Sequence, residues 1–178
     1  MPSAFAHAAI GGALSTWGPR GGPRWLPWCL PALSAAPDLD VIGFWWGIPY
    51  GHPLGHRGLT HSLPFAAAVA GAIYALLRGR PFAGRIAVLC GLAVASHGLL
   101  DTFTNAGLGV GLWIPFDAAR HFAEWRPIST SPLSVRAFFS TTGLAIVTNE
   151  AFWVGLPATA IAVAGVSFRR RARRDGSA

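Results

Sequence analysis

Seven histidine and aspartate residues stand at the ends of apolar stretches of this sequence, where an ionised side chain is costly to bury. Moving such a group uncompensated into a low-dielectric setting costs roughly several kcal/mol, so these side chains should pair with one another or with a metal ion. A mixture of imidazole and carboxylate ligands suits zinc, manganese or iron better than magnesium. The predicted ligands are His7, Asp38, Asp40, His56, His61, His97 and Asp101.

The spacing within two short motifs supports this prediction. His97 and Asp101 lie four residues apart, which places an imidazole and a carboxylate on one face of a helix. Asp38 and Asp40 lie in the stretch PDLD, where Pro37 disfavours helix at the preceding residue, and in an extended segment both carboxylates would face one side. Either motif alone is more typical of a local hydrogen bond or a helix cap. Together they predict a centre that holds one or two divalent metal ions per chain.

The stretch GHRGLTHS, residues 55–62, adds an arginine to this set. The guanidinium of Arg57 can hold a phosphate or a carboxylate through two parallel hydrogen bonds and can stabilise charge that develops on reacting oxygens. The alternative is an ion pair between Arg57 and Asp38 or Asp40. The residue is therefore either part of the reacting centre or a support for it.

Other polar residues have simpler interpretations. Ser62 predicts a helix N-cap, because Pro64 follows it in what would be the first helical turn, and this role holds whatever the function. Asn149 and Glu150 interrupt the last apolar segment and predict either a polar contact between helices or a lumen. Two further histidines lie in loop stretches and are predicted to be solvated: His52 and His121.

The elements that must position these residues are apolar. The chain has 178 residues, of which 52% are hydrophobic and 12% charged, whereas soluble domains average about 25% charged residues. A membrane span needs about 20 residues, so the shorter segments must tilt or re-enter. We predict an all-α polytopic integral membrane helical bundle with about four to five membrane segments, some short or re-entrant, in one domain (1–168) with a basic cytoplasmic tail (169–178). The apolar segments are approximately 3–17, 25–36, 62–77, 82–100 and 141–168.

Arginines order these segments. They follow the first segment, separate the third from the fourth, and follow the last, and the positive-inside rule assigns all three positions to the cytoplasm. The alternation of the chain then brings every predicted ligand to the opposite face of the membrane. The arginine-rich tail beside a long apolar segment indicates a cytoplasmic anchor, so no nucleic-acid partner is required. The expected partner is the lipid bilayer.

Several motifs together resemble the YdjM-like membrane-bound metal-dependent hydrolases, a bacterial inner-membrane family that is partly under SOS (LexA) control. The resemblance rests on AHAAIGGAL, PDLDV, GHRGLTHS, ASHGLLDTFTNAGLGVGLWIPF and, more loosely, WRPISTSPL, over residues 5–135. It implies that the seven residues form the metal and active site of a multi-pass inner-membrane protein. The family is distantly similar to helical zinc phospholipases C and single-strand nucleases, which implies a phosphodiester substrate.

The expected function is hydrolysis of a phosphoester or phosphodiester, including lipid-linked ones, by a water whose pKa the metal lowers toward about 7. The predicted catalytic residues are Asp38, Asp40, His56 and Arg57, with Asp38 or Asp40 as general base and Arg57 as the clamp for the substrate anion. The alternative function is an ion- or proton-coupled transporter or channel that uses the same histidines and aspartates. Transport predicts polar residues throughout the bilayer depth, as Glu150 suggests, whereas hydrolysis predicts a cluster at one face.

Overall fold

A computed structural model of the chain describes residues 1–131 and 140–174. The regular structure in these residues is helical, with two isolated β-bridges, so the all-α prediction is confirmed. A π-helical turn, Ala151–Gly155, joins the last two α-helices into one run, and 3₁₀ helices span Ala36–Trp46 and Leu59–His61. The α-helices are α1 (Ala4–Ser15), α2 (Leu26–Ala35), α3 (Leu63–Leu77), α4 (Ala83–Thr102), α5 (Thr141–Glu150) and α6 (Leu156–Arg174).

The helices pack as two hairpins, α1 with α2 and α3 with α4, and α4 also contacts α1 and α2. Between α3 and α4 the chain reverses through Gly79, whose φ of +83° favours glycine. Small residues allow the backbones to approach closely. A Cβ on Gly11 would lie 2.4 Å from the carbonyl oxygen of Leu30, and one on Gly91 would lie 2.8 Å from the Cβ of Ala70.

Two helical runs are long and apolar enough to cross a membrane, Ala83–Thr102 and Thr141–Arg174. Their surroundings differ, because 56% of the apolar window of the first is buried inside the protein but only 17% of that of the second. The C-terminal run therefore leaves an apolar surface exposed, as expected of a helix that faces lipid. Two shorter apolar helices, Ala4–Ser15 and Leu63–Leu77, accompany them.

The polar pair that interrupts the last apolar segment joins helices. The buried carboxylate of Glu150 accepts hydrogen bonds from the backbone N–H of Ser3 at 2.5 Å and from its hydroxyl at 2.6 Å. Ser3 in turn caps α1, so the carboxylate lies at the positive end of the helix dipole. The Asn149 side chain accepts from the N–H of Ser129 and donates to the carbonyl of Pro127. Of the two roles predicted for this pair, the polar contact is the one observed.

Replacing Glu150 by Ala should destabilise the protein, because it leaves the buried N–H and hydroxyl of Ser3 without acceptors. Two hydrogen bonds to a charged group contribute roughly 3–6 kcal/mol together, so we expect a drop of several degrees or more in the unfolding temperature measured in detergent. Glu124→Ala, at an exposed loop position, is the matched control and should change little. Equal losses in the two variants would contradict the importance of the contact with Ser3.

Candidate metal centre

The end of α4 supplies two fully buried ligands, His97 and Asp101, one helical turn apart. His61 reaches them from the start of α3. The side chain of Ser62 accepts a hydrogen bond from the N–H of Phe65 and caps α3, as predicted. Because α3 and α4 form a hairpin, His61 lies beside the end of α4, with its Nε2 atom 3.0 Å from Nε2 of His97 and 3.6 Å from Oδ2 of Asp101.

Gly98 permits this approach. A Cβ at Gly98 would lie 2.0 Å from the carbonyl oxygen of His61, a distance too short for any side chain to be accommodated at this position. The glycine in the SHGLLD motif therefore has a packing role, because the His61 backbone packs directly against α4 at Gly98. The separation between His61 and His97 depends on this one missing methyl group.

Asp38 completes a group of four. Its Oδ1 atom lies 3.2 Å from Nε2 of His97 and 3.6 Å from Nε2 of His61. One ligand atom from each of the four residues can be chosen so that all lie within 4.8 Å of one another, and all four side chains are buried. This group is compact enough to surround one ion: Asp38, His61, His97 and Asp101.

A second group shares His61 with the first. The Oδ1 atom of Asp40 lies 2.7 Å from Nδ1 of His56, and its Oδ2 atom lies 3.2 Å from Nδ1 of His61. Thr60 also donates its hydroxyl proton to Asp40, at 2.9 Å. His61 therefore faces one group with each of its two ring nitrogens, and these three residues form the second cluster that could hold an ion.

The two carboxylates of the PDLD stretch consequently serve different groups. The sequence-based expectation of an extended segment is wrong, because residues 36–46 form a 3₁₀ helix. Side chains three residues apart eclipse in such a helix, so positions i and i+2 diverge. Asp38 points to the group at the end of α4, and Asp40 points to His56 on the other side of His61.

The unpaired atoms of the cluster fit a divalent metal. Within the described part of the chain, both ring nitrogens of His7 and both carboxylate oxygens of Asp38 and of Asp101 are buried without a well-aligned hydrogen bond. Their nearest charged or ring neighbours are Arg57 Nε, 3.0 Å from Oδ2 of Asp101, and His97 Nε2, 3.2 Å from Oδ1 of Asp38. His97 places its Nδ1 atom 2.7 Å from the carbonyl of Ser34, and a proton held there leaves the Nε2 lone pair directed at the group. Buried acceptors of this kind are costly unless a cation satisfies them.

Asp40 and His61 shift each other's pKa in opposite directions. Burial alone would raise the pKa of Asp40, but hydrogen bonds from His56 and His61 outweigh it and hold that pKa at about 2. Burial alone would lower the pKa of His61, but Asp38 and Asp40 raise it to about 9. A proton on His61 therefore balances the carboxylates, and a bound divalent ion must displace it.

Arg57 is buried inside the centre, with 1% of its surface exposed. Its Nε atom lies 3.0 Å from Oδ2 of Asp101, and its terminal nitrogens donate to the hydroxyl of Thr104 and the carbonyl of Ala106. The alternative role predicted for Arg57, an ion pair with Asp38 or Asp40, is wrong in its partner, because the guanidinium pairs with Asp101 and only the backbone N–H of Arg57 donates to Asp40. Residue 57 has a φ of +61°, in the left-handed region, and its side chain extends to the loop after α4.

His7 and His52 occupy contrasting positions. The His7 ring stacks on that of His97 with centroids 3.6 Å apart, and its Nε2 atom lies 3.6 Å from Oδ1 of Asp101. It is adjacent to the four-residue group without belonging to it. His52 is exposed, and His121 is partly buried.

Arg120 is a supporting residue to which sequence reasoning gave no role. Its guanidinium donates to the carbonyls of His56 and Tyr50 at 3.1 and 3.0 Å and to that of His52 at 3.2 Å, which ties the GHRG loop to the segment after α4. The predicted topology puts Arg120 on the face opposite the arginine clusters, which departs from the positive-inside rule, and that departure was the available signal.

Comparison with known proteins gives two matches. The family model described as YdjM inner membrane protein matches residues 1–173. The protein described as "Inner membrane protein YbcI" from Escherichia coli (strain K12) is 34% identical over 162 residues, which cover 88% of this chain and 92% of that protein. No solved structure matches the chain.

Replacing Gly98 by Ala should weaken metal binding, because the added methyl would force the His61 carbonyl away from α4. We expect zinc affinity, measured by competition with a chelator, to fall about 10-fold or more. Gly84→Ala in the same helix is the control, since a Cβ there meets nothing within 4 Å and alanine favours helix. Unchanged affinity in a folded Gly98→Ala protein would contradict this placement of His61.

Proposed function

This chain belongs to the YdjM inner membrane protein family, and on that basis we propose that it is a membrane-bound, metal-dependent hydrolase of phosphoesters or phosphodiesters. The observation that carries the proposal is the meeting of four buried metal-ligand side chains from three chain segments, with carboxylate oxygens that lack hydrogen-bond partners. A purely structural network would satisfy these atoms, as the contacts of Glu150 do. Zinc is the ion we propose, with manganese or iron as alternatives that the same ligands accept.

The two groups would have different roles, one in binding the ion and the other in proton transfer. Asp38, His61, His97 and Asp101 would hold the ion, with His7 packed against His97. When bound, a divalent ion polarises the scissile group and makes water a stronger nucleophile near neutral pH. Asp38 has the most exposed side chain of the four, with 10% of its surface accessible, so the substrate would enter on its side.

The Asp40–His56 pair would handle the proton. With Nδ1 of His56 held 2.7 Å from Asp40, a proton on that nitrogen leaves Nε2 as the acceptor of the ring. Asp40 is itself held by Thr60 and by His61. This division commits the four-residue group to one tightly bound ion and leaves Asp40 and His56 for proton transfer.

Arg57 would act mainly as a positioning residue. Its guanidinium contacts Asp101, Thr104 and Ala106, and these contacts orient the carboxylate that would bind the ion. A direct clamp on the substrate anion would require the guanidinium to leave these partners. The pairing therefore supports the structural alternative over the clamp.

We place the centre at the non-cytoplasmic face of a multi-pass inner-membrane protein. The segment that carries Asp38 and Asp40 also carries Trp45 and Trp46, which are 85% and 77% exposed. Tryptophans concentrate at the level of lipid headgroups, so the mouth of the centre would lie at that depth. A lipid headgroup or a lipid-linked phosphate is then the substrate class that reaches the centre without leaving the bilayer.

The four-residue group makes a direct prediction about metal content and activity. We expect His61→Ala, His97→Ala and Asp101→Asn each to lower zinc affinity about 10-fold or more and to reduce hydrolysis by orders of magnitude. The measurements are bound zinc per chain, and release of nitrophenol from bis(p-nitrophenyl) phosphate and of phosphate esters from phospholipids in nanodiscs.

His52→Ala is the matched control for this series, because His52 is exposed and belongs to neither group. It should retain wild-type metal content and activity. Wild-type zinc content in the three ligand variants would contradict the assignment of the centre. Zinc binding without hydrolysis of any probe, combined with ion flux across vesicles, would favour the transporter.

The membrane orientation makes a separate prediction. Reporter fusions after Arg80 and after Arg174 should report the cytoplasm, because arginines concentrate at these positions. A fusion near Tyr50, in the segment that leads to the centre, should report the opposite side. A cytoplasmic signal at Tyr50 would contradict the placement of the centre at the non-cytoplasmic face.

A further inference from the structure

An open, groove-like cavity of about 430 Å³ lies on the surface beside the last turns of α6, at the end of the bundle where α1 finishes. It is remote from the metal centre. Arg85, at the start of α4, donates to the carbonyl of Trp17 at 3.0 Å, whereas His97 is twelve residues further along α4, roughly 18 Å at the helical rise. The cavity is lined by Arg20, Val166, Arg169, Arg170 and Arg173.

Packing of the chain after α1 against α6 builds this cavity. The indole N–H of Trp17 donates to the carbonyl of Ile161 at 3.0 Å, and the indole ring stacks on Phe168 with centroids 5.7 Å apart. Gly165 allows the contact, because a Cβ there would lie 2.2 Å from the hydroxyl of Thr16. The contact brings Arg20 beside the arginines of α6, and Arg20 donates to the carbonyl of Arg169.

The charges around the cavity are unbalanced. Over residues 1–131 and 140–174, none of its four arginines forms an ion pair with a carboxylate. The side chains of Arg170 and Arg173 make no hydrogen bond in that part of the chain either, so their guanidinium donors are available. Four guanidinium groups around one space repel one another and attract an anion. Planar guanidinium forks bind phosphate oxygens in pairs.

We propose that this cavity binds the phosphate group of an anionic phospholipid of the surrounding bilayer. A lipid suits it better than a soluble anion, because Val166 lines the cavity and the adjoining Phe168 is half exposed. The acyl chains can continue along the C-terminal run, most of whose apolar surface is not covered by protein. Basic pockets where helices leave the bilayer are established sites for such headgroups. The proposal requires the membrane location of the chain and is independent of the hydrolase activity.

The test is a titration of the purified full-length protein in detergent with dioctanoyl phosphatidylglycerol, followed by native mass spectrometry. The wild type should bind one equivalent saturably. Arg170→Gln/Arg173→Gln should weaken this binding about 10-fold or more, because two donors leave the cavity. Both side chains are exposed and make no contact with the rest of the fold that the substitution would break.

Arg171→Gln/Arg174→Gln is the matched control. It removes the same charge from the same two turns, at exposed positions that do not line the cavity, and should change the affinity by no more than about 2-fold. Equal weakening in the two double variants would overturn the proposal in favour of general attraction to the basic helix. Equally tight binding of inorganic phosphate, or of dioctanoyl phosphatidylcholine, would overturn the assignment to an anionic lipid.

Discussion

The burial of Asp101 at the end of α4 is the constraint on which the rest of the structure depends. A carboxylate with no exposed surface must be balanced, and three separate parts of the chain supply the balance. Arg57 approaches from the GHRG loop, His61 from the start of α3, and His7 from α1. The hairpins of the bundle are arranged so that these segments meet at the end of one central helix.

Two kinds of buried polar residue can be distinguished by how completely they are satisfied. The buried Glu150 and the partly buried Arg120 find protein partners, and each ties together segments that are distant in sequence. The carboxylates of Asp38 and Asp101 retain oxygens without hydrogen-bond partners in the described residues. Natural proteins rarely leave such atoms unpaired unless a ligand completes them. This contrast separates the framework of the protein from its candidate centre of chemistry.

The two ends of the bundle carry opposite electrostatic demands. The carboxylates at the end of α4 attract a cation, and the arginines beside the end of α6 attract an anion. Helix α4 connects these ends, since Arg85 at its start touches Trp17 and Asp101 at its end belongs to the centre. On the two proposals made above, the protein binds lipid phosphate at one face through positive charge and at the other through a metal ion.

Local patterns in the sequence determined the parts of this protein that depend on local geometry. The apolar stretches predicted the helical class, the serine before Pro64 predicted the start of α3, and the HxxxD spacing placed His97 and Asp101 on one helical face. Each of these depends on residues within a turn of one another, where side-chain direction follows directly from backbone periodicity.

Only the tertiary structure decided which of these residues touch. Asp38 and Asp40 lie on opposite sides of His61, and Arg57 pairs with Asp101. Glu150 contacts the cap of α1, 147 residues away in sequence. No periodicity encodes such distances, because they depend on how closely helices approach. At Gly98 that approach is set by the absence of a single methyl group.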